Sequence, residues 1–195
     1  MEVRKALLLA VVFTATAAHG AKKNTEAEVW AQEPTSFIGI QLDENLIYQL
    51  KQCPEDYDFN APEEMCYERP YVTNYYSLRY TPALGIGYGA AVMTHESQIR
   101  EIRLTTKEEN YDTVKSMLLQ KYGKPLKQSS ETVKTKVGAA FRNEKIYWDG
   151  KKVTIVLERY YDTIDKSRVS VINKDVAHKA IKAENDKMTD SASKL

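Results

Sequence analysis

Residues 106–125 read TKEENYDTVKSMLLQKYGKP, and residues 146–158 read IYWDGKKVTIVLE. The first stretch opens with Thr106-Lys107-Glu108-Glu109, the pattern of a capping box. In such a box the threonine hydroxyl accepts from the backbone N–H three residues on, and the glutamate reaches back to the threonine N–H. Tyr111, Val114, Leu118 and Tyr122 then recur at spacings of 3, 4 and 4, which places them on one helical face. Gly123 suits the left-handed position after a helix, and Pro125 stops any continuation. In the second stretch the period changes. Val153, Ile155 and Leu157 alternate with Thr154, Val156 and Glu158, as in a strand with one face more deeply buried. Asp149-Gly150 between two strand-like runs predicts a hairpin with a type I′ turn, which needs positive φ at both central residues. Arg168 to Ile172 alternates again after the polar link Asp162 to Lys166. A capped amphipathic helix followed by an antiparallel meander predicts an α+β fold with the helix packed across the sheet.

Earlier segments suggest the same order. Phe37 to Leu42 reads as one short extended segment, and Asp43 as the cap of a brief helix carrying Leu46, Ile47 and Leu50. Strands are expected around Tyr75 to Tyr80, at Ala90 to Met93 and at Ile99 to Leu104, the last two joined by a turn at Thr94 to Ser97. Further strands are expected at Thr132 to Val137 and Phe141 to Trp148, before the alternating run described above. Asp175 reads as the cap of a last helix with Val176, Ala180 and Ile181 inward. Residues 36–104 and 105–174 thus suggest two helix-plus-meander units. The expected organisation is a signal peptide over 1–20, a flexible lead-in over 21–35, a single α+β domain over 36–182 and a disordered tail over 183–195.

The signal peptide is read from Arg4 and Lys5 followed by the apolar run Ala6 to Phe13 and small residues to Ala18. Cleavage after Ala17 or after Gly20 fits equally, and the run falls short of the roughly 20 apolar residues a membrane span needs. The expected destination is periplasmic or extracellular, with no transmembrane segment in the mature chain. Cys53 and Cys66 are the only cysteines, and an isolated pair in an exported chain predicts a disulfide. The chain holds 28 Lys+Arg and 27 Asp+Glu, and removing residues 1–20 takes away Arg4, Lys5 and Glu2 and leaves 26 of each. A neutral mature protein argues against nucleic-acid binding, which needs a basic excess. The charge is nevertheless patterned, acidic over 53–70 and basic over 121–145.

The run Leu118-Leu119-Gln120-Lys121-Tyr122-Gly123-Lys124-Pro125, followed by a strand pair containing Trp148, resembles a group of small exported bacterial proteins. The group includes the β-lactamase inhibitor proteins and the BamE-type outer-membrane assembly lipoproteins. The resemblance covers mainly residues 106–160, and the lipoprotein cysteine is missing. It implies a helix ending in a Gly-x-Pro-like turn that leads into a curved antiparallel sheet, and a tendency to bind protein. It implies no functional residue.

Catalytic patterns are sparse. His95 and His178 are the histidines outside the signal peptide, with no Gly-x-Ser-x-Gly and no His-Glu-x-x-His beside them. His95 reads as an exposed turn residue. Glu158 with Asp162, or Asp162 with Asp165, are the carboxylate pairs that could serve glycoside hydrolysis. Gly85-Ile86-Gly87-Tyr88-Gly89 lacks the Lys-Ser/Thr and the following helix of a phosphate loop. Residues 67–88 hold 6 of the 13 tyrosines, directly after the acidic cysteine loop. Tyrosine gives large contact area at low entropy cost. Tyr71, Tyr75 and Tyr76 with Glu63 and Glu64 are therefore the expected partner-binding residues, although adjacent Tyr75 and Tyr76 cannot both face outward from one strand. The resulting expectation is an exported, non-enzymatic protein that recognises another protein, with no catalytic residue, cofactor or metal. A small cell-wall or polysaccharide hydrolase is the alternative.

Overall fold

A computed structural model describes residues 30–54 and 64–195. The expected signal peptide, Glu63 and most of the acidic loop lie outside the described residues. The chain runs β1 (Ser36–Phe37), β2 (Ile40–Gln41), α1 (Leu46–Gln49), β3 (Cys66–Tyr67), β4 (Tyr75–Arg79), β5 (Tyr88–His95) and β6 (Gln98–Lys107). After a 3-10 turn at Glu108–Asn110 come α2 (Tyr111–Tyr122), β7 (Lys127–Lys134), β8 (Ala140–Asp149), β9 (Val153–Glu158), β10 (Lys166–Asn173) and α3 (Lys174–Ala192). Among the described residues the fold is mixed α+β, with three helices and an antiparallel sheet of eight strands in the order β3-β4-β5-β6-β10-β9-β8-β7. Each half is a meander of sequential neighbours, and the halves join where β10 pairs with β6.

Register explains the core. Val92, Ile102, Val171, Ile155 and Trp148 are successive cross-strand partners, and so are Ala90, Leu104, Val169, Leu157 and Ile146. All ten are buried, because residues of like parity share one face of the sheet. Tyr111, Val114, Leu118 and Tyr122 of α2 are buried in the same apolar cluster, as their spacing predicts. Full burial of each such side chain contributes about 1.5–3 kcal/mol. Both tryptophans also close the end of α2. The Trp30 indole N–H donates to the Tyr122 carbonyl at 2.9 Å and that of Trp148 to the Gly123 carbonyl at 2.8 Å. Gly123 takes the positive φ of 73° expected of it.

Several local expectations are overturned by distant partners. Thr106 stays in β6, paired with Tyr88 and Ser167, and its hydroxyl donates to the Gly87 carbonyl at 2.6 Å, so no capping box forms. The helix is entered instead through the 3-10 turn, and Glu108 pairs with Arg159 at 2.8 Å. The Asp149-Gly150 hairpin forms, but Asp149 pairs with Thr154 and Gly150 donates to the Val153 carbonyl. Lys151-Lys152 therefore make its tip, without positive φ. Two-residue turns with both φ positive lie at Ile38-Gly39 and Glu96-Ser97. The first makes Phe37 to Leu42 a small hairpin rather than one extended segment. Asn45, not Asp43, precedes α1, and Ile47 is exposed. Asn173, not Asp175, caps α3, its side chain accepting from the Val176 N–H, and Ile181 is exposed while Val176 and Ala180 are buried. The described part of the lead-in is tied down: Glu33 accepts from the backbone N–H of Lys151, Lys152 and Val153. Helical backbone continues to Ala192, with every residue from Glu184 onward exposed.

Candidate functional site

The expected tyrosine-rich surface lies at the β3 edge of the sheet. β3 is only two residues long, but its neighbourhood is fastened on every side. Cys53 and Cys66 are disulfide-bonded. The Cys53 N–H donates to the Tyr67 carbonyl at 2.8 Å and the Tyr67 N–H to the Lys51 carbonyl at 3.1 Å. The Glu68 N–H donates to the Ser77 carbonyl at 2.8 Å, and the Arg79 guanidinium reaches the Glu68 carboxylate at 2.6 Å.

Between β3 and β4 the chain turns at residues 71–74. Asn74 holds a φ of 65°, an angle asparagine tolerates, and its carbonyl accepts from the Thr94 N–H at 3.0 Å. The tip of this turn presents Tyr71, fully exposed, and Val72, 66% exposed. Exposed apolar side chains on a braced turn give contact area with little ordering cost.

The adjacent tyrosines part company as strand alternation requires. Tyr75 is 36% exposed and pairs with Met93, whereas Tyr76 pairs with Val92 on the core side. The Tyr76 ring meets Tyr67 edge-on at 5.4 Å between centroids and packs against the apolar core. Tyr76 therefore does not belong with Tyr71 and Tyr75 on an outward patch. Glu64 is exposed beside Cys66, while Glu63 lies outside the described residues. Val72 is the residue the sequence reading passed over. Its signal was a lone valine beside Thr73-Asn74, an apolar side chain at a turn.

A polar cleft of about 640 Å³ opens at the other end of the sheet, between Arg142, Glu144 and Arg159. Tyr111 donates to Glu144 at 2.6 Å, Lys115 approaches it at 3.1 Å, and the Gln128 amide donates to it as well. Burial pushes the Glu144 carboxyl up, but hydrogen bonds from Tyr111, Lys115 and Gln128 outweigh it and hold it below the usual carboxylate range. Burial, then the bond to Glu144, pushes the Tyr111 hydroxyl well above its ordinary value. The Arg159 guanidinium lies 4.6 Å from the Tyr111 ring centroid and pairs with Glu108 and Asp112. Every charge lining this cleft that could do proton transfer already holds a partner. The arrangement ties α2 to β8 and to the segment after β9.

The carboxylates offered as hydrolase pairs are placed separately. Glu158 is buried between Lys145 at 3.0 Å and Arg168 at 2.9 Å, with Asn143 donating to it. Asp162 sits at positive φ in the turn that follows, and Asp165 shares an open pocket with Glu109 rather than with Asp162. His95 ends β5, half-buried, and His178 is exposed on α3. Among the described residues, no group of three His, Cys, Asp or Glu could hold a metal ion. Compared with family models, curated proteins and solved structures, the chain matches none.

Proposed function

We propose that this is an exported, non-enzymatic protein that recognises another protein through the surface at residues 64–75. The observation that carries the reading is the Tyr71-Val72 tip, two exposed apolar side chains held on a turn that the disulfide, the Arg79–Glu68 pair and the Asn74 bonds brace from below. Exposed Glu64, on the approach to β3, and the acidic composition of 55–68 favour a partner surface that is basic or neutral. Export draws support from the disulfide and from the basic-then-apolar sequence of residues 4–18, with the periplasm or the exterior as destination. Among the described residues, no helix is long and apolar enough to cross a membrane.

The two sequential meanders, each preceded by a helix, support a duplicated helix-plus-meander plan with α2 laid across a curved sheet. The resemblance to inhibitor-type and assembly-type exported proteins implies a helix leading into a curved antiparallel sheet, and not the duplication. No specific observation favours the hydrolase alternative, because Glu158 is already neutralised by two cations.

The test is capture of partners from the envelope and culture fluid of the source cells. Tyr71→Ala and Val72→Ser should each keep the parent's melting temperature and lose the captured partner. Tyr76→Ala should melt early, because its ring is packed on the core. Retention of the full parental capture by the Tyr71→Ala, Val72→Ser double variant overturns the proposal.

A further inference from the structure

Part of the basic stretch of the sequence gathers at one end of the sheet. Lys121 lies in the last turn of α2, Lys124 precedes β7, Lys127 opens it, and Lys151-Lys152 tip the β8–β9 hairpin. β7 begins beside that hairpin, since Lys127 pairs with Tyr147, two residues before Asp149. All five lysines are exposed, and among the described residues none has a carboxylate within ion-pair distance. Lys121 and Lys127 lie over the rings of Tyr122 and Tyr147, which leaves their charge uncompensated. The acids described at this end are already engaged. Glu33 accepts from the hairpin N–H groups, and Asp149 pairs with Lys174 at 3.0 Å. The end of α2 does not hold the lysines either, because the indoles of Trp30 and Trp148 take its Tyr122 and Gly123 carbonyls.

Leu126 stands among these lysines and is 70% exposed. Pro125 restricts the backbone before it, and its own N–H donates to the Tyr147 carbonyl at 2.9 Å, so the side chain is held out on a fixed link. An open recess of about 410 Å³ beside it is lined by Trp30, Gln32, Lys124, Pro125 and Trp148. An exposed apolar side chain ringed by uncompensated cations fits a surface whose anionic groups lie over an apolar interior. A soluble polyanion would use the lysines and leave Leu126 in water. A second observation points the same way. The chain enters the described fold at Trp30, in this same surface, and Ala6 to Phe13, upstream of it, is the most apolar run in the sequence. Residues 19–29 can span at most about 40 Å, so a bilayer that takes up residues 6–18 lies next to this face.

We propose that this face docks on a bilayer surface carrying anionic phospholipid headgroups, with the lysines at the phosphates and Leu126 at the acyl boundary. The contact is peripheral, needs no membrane-spanning helix, and uses none of residues 64–75.

Trp30 and Trp148 are the only tryptophans, and both lie at this face. Quenching of tryptophan fluorescence by lipids spin-labelled on the headgroup therefore reports docking of this face, and not mere attachment of the chain. The purified protein is titrated with such vesicles of phosphatidylcholine, with and without phosphatidylserine. Quenching should saturate at about tenfold less lipid, or lower still, when phosphatidylserine is present, and added salt should reverse it. The double variant Lys124→Glu, Lys127→Glu should keep the parent's melting temperature, since both side chains are exposed and outside any ion pair, and should lose that preference. Leu126→Ser should weaken docking on the anionic vesicles by about threefold to tenfold. Equal quenching with and without phosphatidylserine overturns the proposal, and so does a folded lysine variant that docks as the parent does. Undiminished docking of Leu126→Ser would mean a purely electrostatic surface, open to any acidic macromolecule, and overturns the assignment to lipid as well.

Discussion

Glu144 shows how one side chain joins three elements. It lies in β8, accepts from Tyr111 and Lys115 of α2, and takes the amide of Gln128 in β7. Its carboxyl is held below its ordinary value of 4.5, so the folded state binds its proton less readily than the unfolded chain does. The sign follows from linkage. The stabilisation is fully present above pH 4.5 and is lost as the pH falls through the lowered folded value. Glu144→Gln should therefore lower stability at neutral pH and flatten its decline on acidification. Urea midpoints taken across the acid range check this, and parallel curves for variant and parent would contradict it. Tyr111 belongs to the same unit. Its raised value means it does not ionise under ordinary alkaline conditions, so it continues to donate there.

At the scale of elements, the hairpin β8–β9 is organised by a residue far outside it. The N–H groups at the Lys151-Lys152 tip converge on the Glu33 carboxylate, and Lys151 is 118 residues away from Glu33. Successive N–H groups in such a turn form a concave anion site. Gly150 is required for the approach, since a Cβ there would collide with the same carboxylate. Pro34, next to Glu33, is buried, and Trp30 caps the end of α2, so residues 30–34 act as a strap across helix and hairpin. Glu33→Ala should cost about 1.5–3 kcal/mol, the range for hydrogen bonds to a charged group. Gly150→Ala should cost a comparable amount by displacing that carboxylate. The double variant should cost little more than either single change, because both remove the same contacts. Additive losses in urea unfolding would show that Gly150 and Glu33 act separately.

At the scale of the molecule, stability should be graded from the centre of the sheet outward. β6, β10 and β9 have strands on both sides and supply most of the buried rows, whereas β3 and β7 are edges. The two edges are handled differently. β3 is two residues long and braced by the disulfide, while β7 is polar and carries Lys127 and Lys134 at its ends, which discourages pairing with another chain. Replacing Cys53 and Cys66 together by alanine should lower stability by about 2–4 kcal/mol, the usual effect of opening a loop of this size. Amide exchange should quicken around β3 and the 68–74 turn and stay slow in β6, β9 and β10. Quickening that spreads evenly over all eight strands would mean that the sheet behaves as one unit. Free thiols in the unreduced protein would contradict the bond itself.

Features set by neighbouring residues were legible in the sequence. The 3-4-4 spacing of Tyr111, Val114, Leu118 and Tyr122, the alternation of Val153, Ile155 and Leu157, and the positive φ of Gly123 follow from helix and strand geometry alone. The Cys53–Cys66 pair and the opposite faces of Tyr75 and Tyr76 were legible for the same reason. What failed were groups with a choice of partner. The Thr106 hydroxyl could cap a helix or bond across the sheet, and pairing with Tyr88 and Ser167 decided it. The turn expected at Asp149-Gly150 lies two residues further on, at Lys151-Lys152, where Glu33 binds the N–H groups of the tip. The local sequence around Tyr71 and Val72 marks a turn but does not decide how far each side chain stands in water. Only the joining of β3, β4 and β5 leaves them at the tip of a turn. Periodicity is a property of adjacent residues, whereas a hydrogen-bond partner and exposure to water depend on which distant segments the chain brings together.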